Sequence, residues 1–552
     1  MSADVVFKLF EQFALVQLQG DVAVRADLHA QLLPIDANCV AANDAAILHA
    51  LHPRENSAPT QSSEFTQVLH AASTIKFQML KNGFVQSVHC DMYLFRNVLK
   101  NVEQNRTFNV NLFKFNAFVL FSELISAQWL EIVIMDKHLE TRAMFAGYRP
   151  SDANMAVKPP MHPASTFVFP DARTGAAHME TAYGIEGAET PPEGFIYSRL
   201  GNPTVAMAEQ RLAAWDESED SALFGSGMAA ISTALMAWSG ADRPVWFVGP
   251  LYGGSHHFLE EVMPTLGREV VELSHLDELQ ATLESVGGVR PGILYLETPA
   301  NPTMQIQRIR QAAEWAAMHS TEEHRIVVMV DNTYLGPILQ RPLEEGADLV
   351  LYSATKYLGG HSDLIAGGAS GGSDIVAKVK EFRTFLGGTI DPWTAWMLAR
   401  SMETLHVRVE HQQRSAGTVL EHLRALCGRD AVKSAWVEDL AHMGQNVATA
   451  QAQQRGGGAM IGLEVPGGRK GAFAFLDALQ VFKLAVSLGS TESLAEHPAS
   501  MTHAGVPAEV KARTGITEGF VRLSIGLEHP EDLMKDLTQA WKVAASVATL
   551  AV

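Results

Sequence analysis

From about residue 220 onward the chain alternates between two textures. Short runs are apolar at nearly every position: SALF (221–224), VWFV (245–248), ILYL (293–296), IVVMV (326–330) and LVLYS (349–353). Between them lie stretches with helical spacing, such as RIRQAAEWAAMH (308–319). A strand with one wet face alternates apolar and polar positions, whereas a strand covered on both faces reads as a continuous apolar run. Strands of the second kind alternating with helices predict a mostly parallel sheet covered by helices, an α/β large domain. Beyond about 400 the texture changes. A long helical stretch, WTAWMLARSMETLHVRVEHQQRSAGTVLEHLRAL, leads into a strand and turn at 457–468, which predicts a smaller C-terminal α+β domain. The expected boundaries are an extension at 1–144, a Pro-, Gly- and Ala-rich arm at 145–195, the large domain at 196–400 and the small domain at 401–552. The extension shows no assignable motif. It reads as an appended helical module, a poorly ordered extension, or the product of a start codon set too far upstream.

At about 150 residues per domain, 552 residues allow three or four units. A hydrophobic share of 47 % against 19 % charged residues is globular and supports a large core. The formal net charge of -19 argues against nucleic acid, whose phosphates demand a basic face. Cys39, Cys90 and Cys427 lack metal-ligand spacing. So sparse a set points to a reducing, cytoplasmic setting with no disulfide framework. The N-terminus MSADVVFKLFEQF has no basic segment before an apolar core, so no secretory signal is expected. The most apolar stretch, 115–135, contains Glu123, Gln128 and Glu131, which are costly in hydrocarbon, so no membrane span is expected. The sequon Asn105-Arg106-Thr107 is then a chance occurrence.

Candidate chemistry gathers at the carboxyl ends of the strands, where open α/β sheets bind their ligands. SALF runs into Gly225-Ser226-Gly227-Met228-Ala229-Ala230 and then a helical run. A glycine turn before a helix offers free N–H groups and the positive end of the dipole, a site for an anion such as phosphate. The segment also fits a dinucleotide fingerprint, but that reading needs an acid after the next strand, and Phe247-Val248-Gly249-Pro250 supplies none. IVVMV ends in Asp331, and LVLYS ends in Ser353-Ala354-Thr355-Lys356. Taken singly, each has a plainer explanation: a structural turn, a cap, a snorkelling lysine. Together they describe one ligand with a phosphate, a ring nitrogen that needs an acid and an aldehyde that needs an amine. That ligand is pyridoxal 5'-phosphate, with Lys356 as its Schiff-base lysine and Asp331 on its ring nitrogen.

With those residues in view, 145–552 resembles the Cys/Met metabolism family of pyridoxal-phosphate enzymes, which includes methionine γ-lyase, cystathionine γ-synthase and cystathionine γ-lyase. The matching segments are MHPASTFVFP, YSRLGNPT, GSGMAAI, LYGG, ETPANPT, VDNTYLGP, YSATKYLGGHSD, SLGSTESLAEHPASMTH and RLSIGLE, in order. The resemblance implies the fold-type I, aminotransferase-like architecture. It also implies a homodimer or homotetramer with shared active sites, in which Tyr197 and Arg199 reach the cofactor phosphate of the neighbouring subunit. Ser226, Gly227 and Met228, with Ser353 and Thr355, would bind the subunit's own cofactor phosphate. Tyr252 would stack on the ring and exchange a proton with the leaving group. Asn301 would lie near the ring's phenolic oxygen. Ser487 and Arg522 would hold the substrate carboxylate, for which a guanidinium offers a bidentate fit.

The markers of substrate choice are divided. Val486, before Ser487, stands where cystathionine-handling members carry Glu, and resembles methionine γ-lyase, as does HPASMTH (497–503). Gly254, two residues after Tyr252, resembles the cystathionine enzymes instead, and FRTFLGGTIDP (382–392) lacks the Lys-Asp pair of methionine γ-lyases. His256 and His257 are read as structural, and no metal is expected. The expected activity is a carbon–sulfur lyase of the methionine γ-lyase kind acting on a small sulfur amino acid. The alternative is a cystathionine γ-synthase, cystathionine γ-lyase or O-acetylhomoserine sulfhydrylase. Two readings from other classes are disfavoured: an NAD-linked oxidoreductase by the missing acid, a non-catalytic binding protein by the intact Tyr252, Asp331, Lys356 and Arg522 set.

Overall fold

The structure is a computed structural model that describes residues 137–550. The stretch 115–135, the Asn105 sequon, Cys39, Cys90 and nearly all of the 1–144 extension lie outside the described residues.

All five apolar runs are strands: β1 (Asp220–Phe224), β2 (Val245–Val248), β4 (Ile293–Glu297), β5 (Val327–Asp331) and β6 (Leu349–Tyr352). With β3 (Val270–Leu273) and β7 (Gly367–Gly371) they form one seven-stranded sheet in the order β1-β7-β6-β5-β4-β2-β3. The pairings are parallel from β3 through β2, β4 and β5 to β6, and β7 alone runs against the rest. Successive residues of each strand enter different cores. Phe247, Tyr295 and Met329 pack on one face with Ile231 and Leu235, while Trp246, Leu294 and Val328 pack on the other with Ala312 and Trp315. Both faces are dry, and that is why these runs are apolar at nearly every position.

β7 escapes the hydrophobic pattern because it is built of GGASG. A Cβ at Gly367 would lie 2.1 Å from the Ser226 carbonyl oxygen, and one at Gly368 would lie 2.7 Å from Leu212 Cδ2. Neighbours already fill the space that side chains would need. β3 escapes it for the opposite reason: it is an edge strand, VVEL, with only Leu273 buried.

The long helical stretch divides into helices Pro392–Met402 and Leu405–Cys427. The expected strand at 457–468 is β9 (Met460–Glu464). It belongs to a second sheet, ordered β10 (Lys483–Leu484), β11 (Leu494–Glu496), β12 (Phe520–Ser524), β9 and β8 (Val432–Ser434). Its apolar side packs on helices Leu405–Cys427, Gly468–Ala478 and Pro530–Leu550 through residues such as Leu420, Ile461, Phe475, Leu523 and Leu537. The boundary expected at 144/145 falls inside the helix Leu139–Phe145, whose Ala143 is buried in the large domain's core. No helix among the described residues is long and apolar enough to cross a membrane.

Candidate active site

Lys356 follows β6 by a tight turn, its N–H donating to the Ser353 carbonyl at 3.0 Å. The turn is pinned to the start of β7: Thr355 N–H and Oγ1 both donate to the Ala366 carbonyl, at 3.1 and 3.2 Å. This delivers the amine to the carboxyl edge of the sheet, where Nζ donates to Ser487 Oγ at 2.9 Å. Burial, and then the nearby Arg522 cation, lower the Lys356 pKa to about 8 against an opposing effect of Glu496.

Asp331 is the last residue of β5, and its Oδ1 accepts from the backbone and hydroxyl of Thr333 at 2.9 and 2.6 Å. Thr333 Oγ1 in turn accepts the Ser353 N–H at 2.8 Å, so one side chain fixes the ends of β5 and β6 together. Directly opposite Asp331 in the ladder stands Glu297 at the end of β4. Burial, and then the charge of Asp331, pushes the Glu297 carboxyl up; burial likewise raises Asp331. Glu297 accepts the N–H of Tyr252 at 2.6 Å and of Asn301 at 2.8 Å. Both groups it holds are candidate ring contacts. Glu297 stands in ETPANPT without a signature of its own, because a strand-end acid that serves backbone N–H groups looks in sequence like a cap.

The glycine turn after β1 runs directly into a helix start. Ser226 caps the helix Gly227–Trp238 by accepting the Ala229 N–H at 3.1 Å. A Cβ at Gly227 would lie 2.8 Å from Ser353 Cα and Cβ, so only glycine lets the helix start approach the end of β6 this closely. The N–H groups of Gly227 and Met228 occupy the first turn, where no intrahelical acceptor exists.

Arg522, at the centre of β12, is 2 % exposed. Its Nη1 donates to Asn301 Oδ1 at 3.0 Å and pairs with Glu496 at 2.8 Å, and its Nη2 donates to the carbonyls of Val486 and Ser487 at 3.1 and 2.8 Å. Tyr334 also donates to Asn301 Oδ1, at 3.0 Å. Tyr252 is 38 % exposed at the head of the short helix Gly253–His257. Burial, and then Glu297, raises its phenol pKa. A Cβ at Gly254 would lie 2.6 Å from Tyr252 Cε1, so glycine there permits this ring position.

Lys356, Asp331, Asn301, Ser487 and Arg522 are thus linked through shared contacts and adjoining strand ends, with Ser353 and Gly227 beside them. Tyr197 and Arg199 are not part of this web. Tyr197 is 41 % exposed, and Arg199 donates to the Thr384 carbonyl at 2.8 Å. His256 lies with Glu260 and Glu272, their ligand atoms within 4.8 Å of one another, but Glu272 already accepts from Arg513 at 2.8 Å. This trio, with His256 half-buried and both glutamates exposed, is assigned no ion.

The donor set fits pyridoxal 5'-phosphate. A side-chain-free cradle at a helix start suits its phosphate, a buried acid suits its ring nitrogen, and an amine of lowered pKa suits its aldehyde. A strand-end amine, a strand-end acid and a glycine turn at a helix start share the carboxyl edge of a mostly parallel sheet, the arrangement of an α/β protein with a ligand site at that edge. Residues 140–542 match the family described as Cys/Met metabolism PLP-dependent enzyme, and the chain belongs to that family. An L-methionine gamma-lyase of Pseudomonas putida is 39 % identical over 409 residues, covering 73 % of this chain and 97 % of that protein. A cystathionine gamma-lyase of Saccharomyces cerevisiae is 32 % identical over 370 residues, 67 % of this chain and 92 % of its own length. A crystal structure of cystathionine gamma synthase from Xanthomonas oryzae pv. oryzae, in complex with aminoacrylate and cysteine, superposes with a TM-score of 0.64 at 32 % identity. It covers 74 % of this chain and 99 % of that one.

Proposed function

We propose that the protein is a carbon–sulfur lyase of the methionine γ-lyase kind, converting methionine and water to 2-oxobutanoate, methanethiol and ammonia. One observation carries the reading. The Lys356 amine donates to the hydroxyl of Ser487, whose own carbonyl accepts Arg522 at 2.8 Å, so proton-moving amine and carboxylate-binding guanidinium share one anchor.

Bound pyridoxal phosphate supplies an electron-accepting ring conjugated to the substrate nitrogen. Ser226, Gly227, Met228, Ser353 and Thr355 would hold its phosphate, Asp331 its ring nitrogen, and Asn301 the edge bearing its phenolic oxygen. Arg522 and Ser487 orient the substrate carboxylate, which fixes the α C–H toward Lys356. Near pH 8 a useful fraction of Lys356 is unprotonated, so it can take the α proton and then move one at the β carbon. The raised phenol pKa keeps Tyr252 protonated, ready to give its proton to the departing sulfur.

Val486 supports the methionine reading. Its side chain is 55 % exposed beside Ser487, and it gives an apolar wall where a charged substrate tail would find no partner. Gly254 favours the second reading, cystathionine γ-synthase, γ-lyase or O-acetylhomoserine sulfhydrylase chemistry, because it leaves the ring tyrosine unconfined by a larger neighbour. A homodimer or homotetramer with shared sites is part of the proposal, since Tyr197 and Arg199 point to no partner in their own chain's site. A cytoplasmic location rests on the sparse cysteines. The test is a product assay with methionine, cystathionine, and O-acetylhomoserine plus sulfide. Methionine-dependent release of 2-oxobutanoate and methanethiol is expected. Cystathionine turnover at least about tenfold more efficient than methionine turnover would replace this reading with the second, a discrimination of about 1.4 kcal/mol.

A further inference from the structure

The guanidinium that would grip a substrate carboxylate already has an anion. Glu496 ends β11 directly opposite Arg522 in the antiparallel ladder with β12. It is 0 % exposed, and its Oε1 lies 2.8 Å from Arg522 Nη1 and accepts from Thr502 Oγ1 at 3.0 Å. Its Oε2 is buried without a hydrogen-bond partner, as is Arg522 Nε. Each Nη of Arg522 therefore already serves two acceptors, the first Glu496 and Asn301, the second the carbonyls of Val486 and Ser487. A bidentate grip uses two parallel N–H groups, so an arriving carboxylate must displace or share some of these contacts. Among the present acceptors, Glu496 is the charged competitor.

We propose that Glu496 is a positioning residue that acts through Arg522, competing with the substrate carboxylate for the guanidinium and coupling substrate binding to uptake of a proton. With Glu496 ionised, Arg522 is compensated and attracts a second carboxylate weakly. With Glu496 protonated, the full cationic charge faces the substrate. The groups around Glu496 set this balance. Burial raises its pKa above the ordinary carboxylate value, while Arg522 across the ladder, the Thr502 hydroxyl and Lys356 after β6 favour the anion. Burial and Arg522 lower the His503 pKa to about 4, which keeps that ring neutral near pH 7. Tyr252 and Tyr334 sense the Glu496 charge and stay protonated. Bringing in a second carboxylate raises the Glu496 pKa further, so binding takes up a proton and tightens as pH falls.

This inference rests on the assignment of Arg522 to the substrate carboxylate, and the test separates the two. The probe is 4-(methylthio)butanoate, which keeps methionine's carboxylate, thioether and carbon chain and lacks its amine. Its affinity for the cofactor-loaded enzyme is measured by calorimetry and as a competitive inhibition constant, across pH. Glu496→Gln keeps the shape and an acceptor for Nη1 but removes the charge. It should bind the probe at least about fivefold more tightly at neutral pH and lose the wild-type pH slope. Unchanged affinity and slope in Glu496→Gln, with binding lost in Arg522→Ala, overturn the role of Glu496 alone. Binding that survives in Arg522→Ala overturns both assignments. If Glu496→Gln does not fold, wild-type calorimetry in two buffers of different ionisation heat decides: net proton uptake on binding supports the coupling, and none refutes it.

Discussion

Lys356 is an amine placed where its charge is disfavoured, and this has a thermodynamic trace. In the cofactor-free protein its pKa is lowered from 10.5 to about 8, so between those values the unfolded chain binds more protons than the folded one. Stability of the apoprotein should therefore rise with pH across that window, by up to about 3 kcal/mol. Lys356→Met should flatten the rise, as read from denaturant midpoints at pH 8 and 10. The loaded protein should be yellow, and Lys356→Ala should lose both the visible band and turnover; borohydride labelling of another lysine would refute the assignment. Val486 gives a second prediction at this scale. An unpaired charge against an apolar wall costs several kcal/mol unless something compensates it. Val486→Glu should therefore raise the ratio of cystathionine to methionine turnover, measured as relative kcat/KM. An unchanged ratio would mean that Val486 does not touch the distal part of the substrate.

At the scale of elements, the helix start at Gly227 and the end of β6 act as one cradle. Gly227→Ala would put a methyl 2.8 Å from Ser353 Cα, so backbone must move and the anion site opens. Overpacking of this kind costs about 1–3 kcal/mol, and pyridoxal-phosphate affinity should fall by roughly tenfold or more while the fold persists. Equilibrium dialysis with circular dichroism as control measures it. The parts of this cradle were readable in the chain because they combine hydrophobic runs with residues that interrupt them: SALF then GSG, LVLY then SATK. β7 was not readable, since its glycines are chosen by what surrounds them and carry no periodic signal. Glu297, Thr333 and Glu496 were missed for a related reason. Each acts by contacting residues brought near by the fold, Glu496 meeting Arg522 across 26 positions of sequence, and no local spacing announces such a contact.

For the whole molecule, the proposed shared site would place Tyr197 and Arg199 at the cofactor phosphate of a second copy of the chain. Arg199→Ala should then weaken cofactor binding by about 1.5–3 kcal/mol, the range for a hydrogen bond to a charged group, and a fully active monomer by light scattering would refute the shared site. The start of the folded unit gives the last prediction. The family match begins at residue 140, and helix Leu139–Phe145 is part of the same body. Ala143 is buried, Leu139 packs against the same cluster, and Arg142 pairs with Glu217, which also pairs with Arg341. A Cβ at Gly147 would meet the Met207 carbonyl oxygen at 2.7 Å, so the chain enters the large domain in close contact with the helix Pro203–Asp216. No candidate site residue precedes this helix. A chain beginning at Lys137 should therefore keep cofactor content and turnover. A chain beginning at Met144 loses Leu139, Arg142 and Ala143, exposing the apolar surface they cover. At about 25 cal/mol per Å² of apolar surface, and with a partly exposed ion pair adding little, that loss should amount to about 2 kcal/mol. The comparison is thermal unfolding and steady-state kinetics of the two truncations against the full chain. Loss of activity in a folded, cofactor-loaded chain beginning at Lys137 would show that the preceding residues contribute to catalysis.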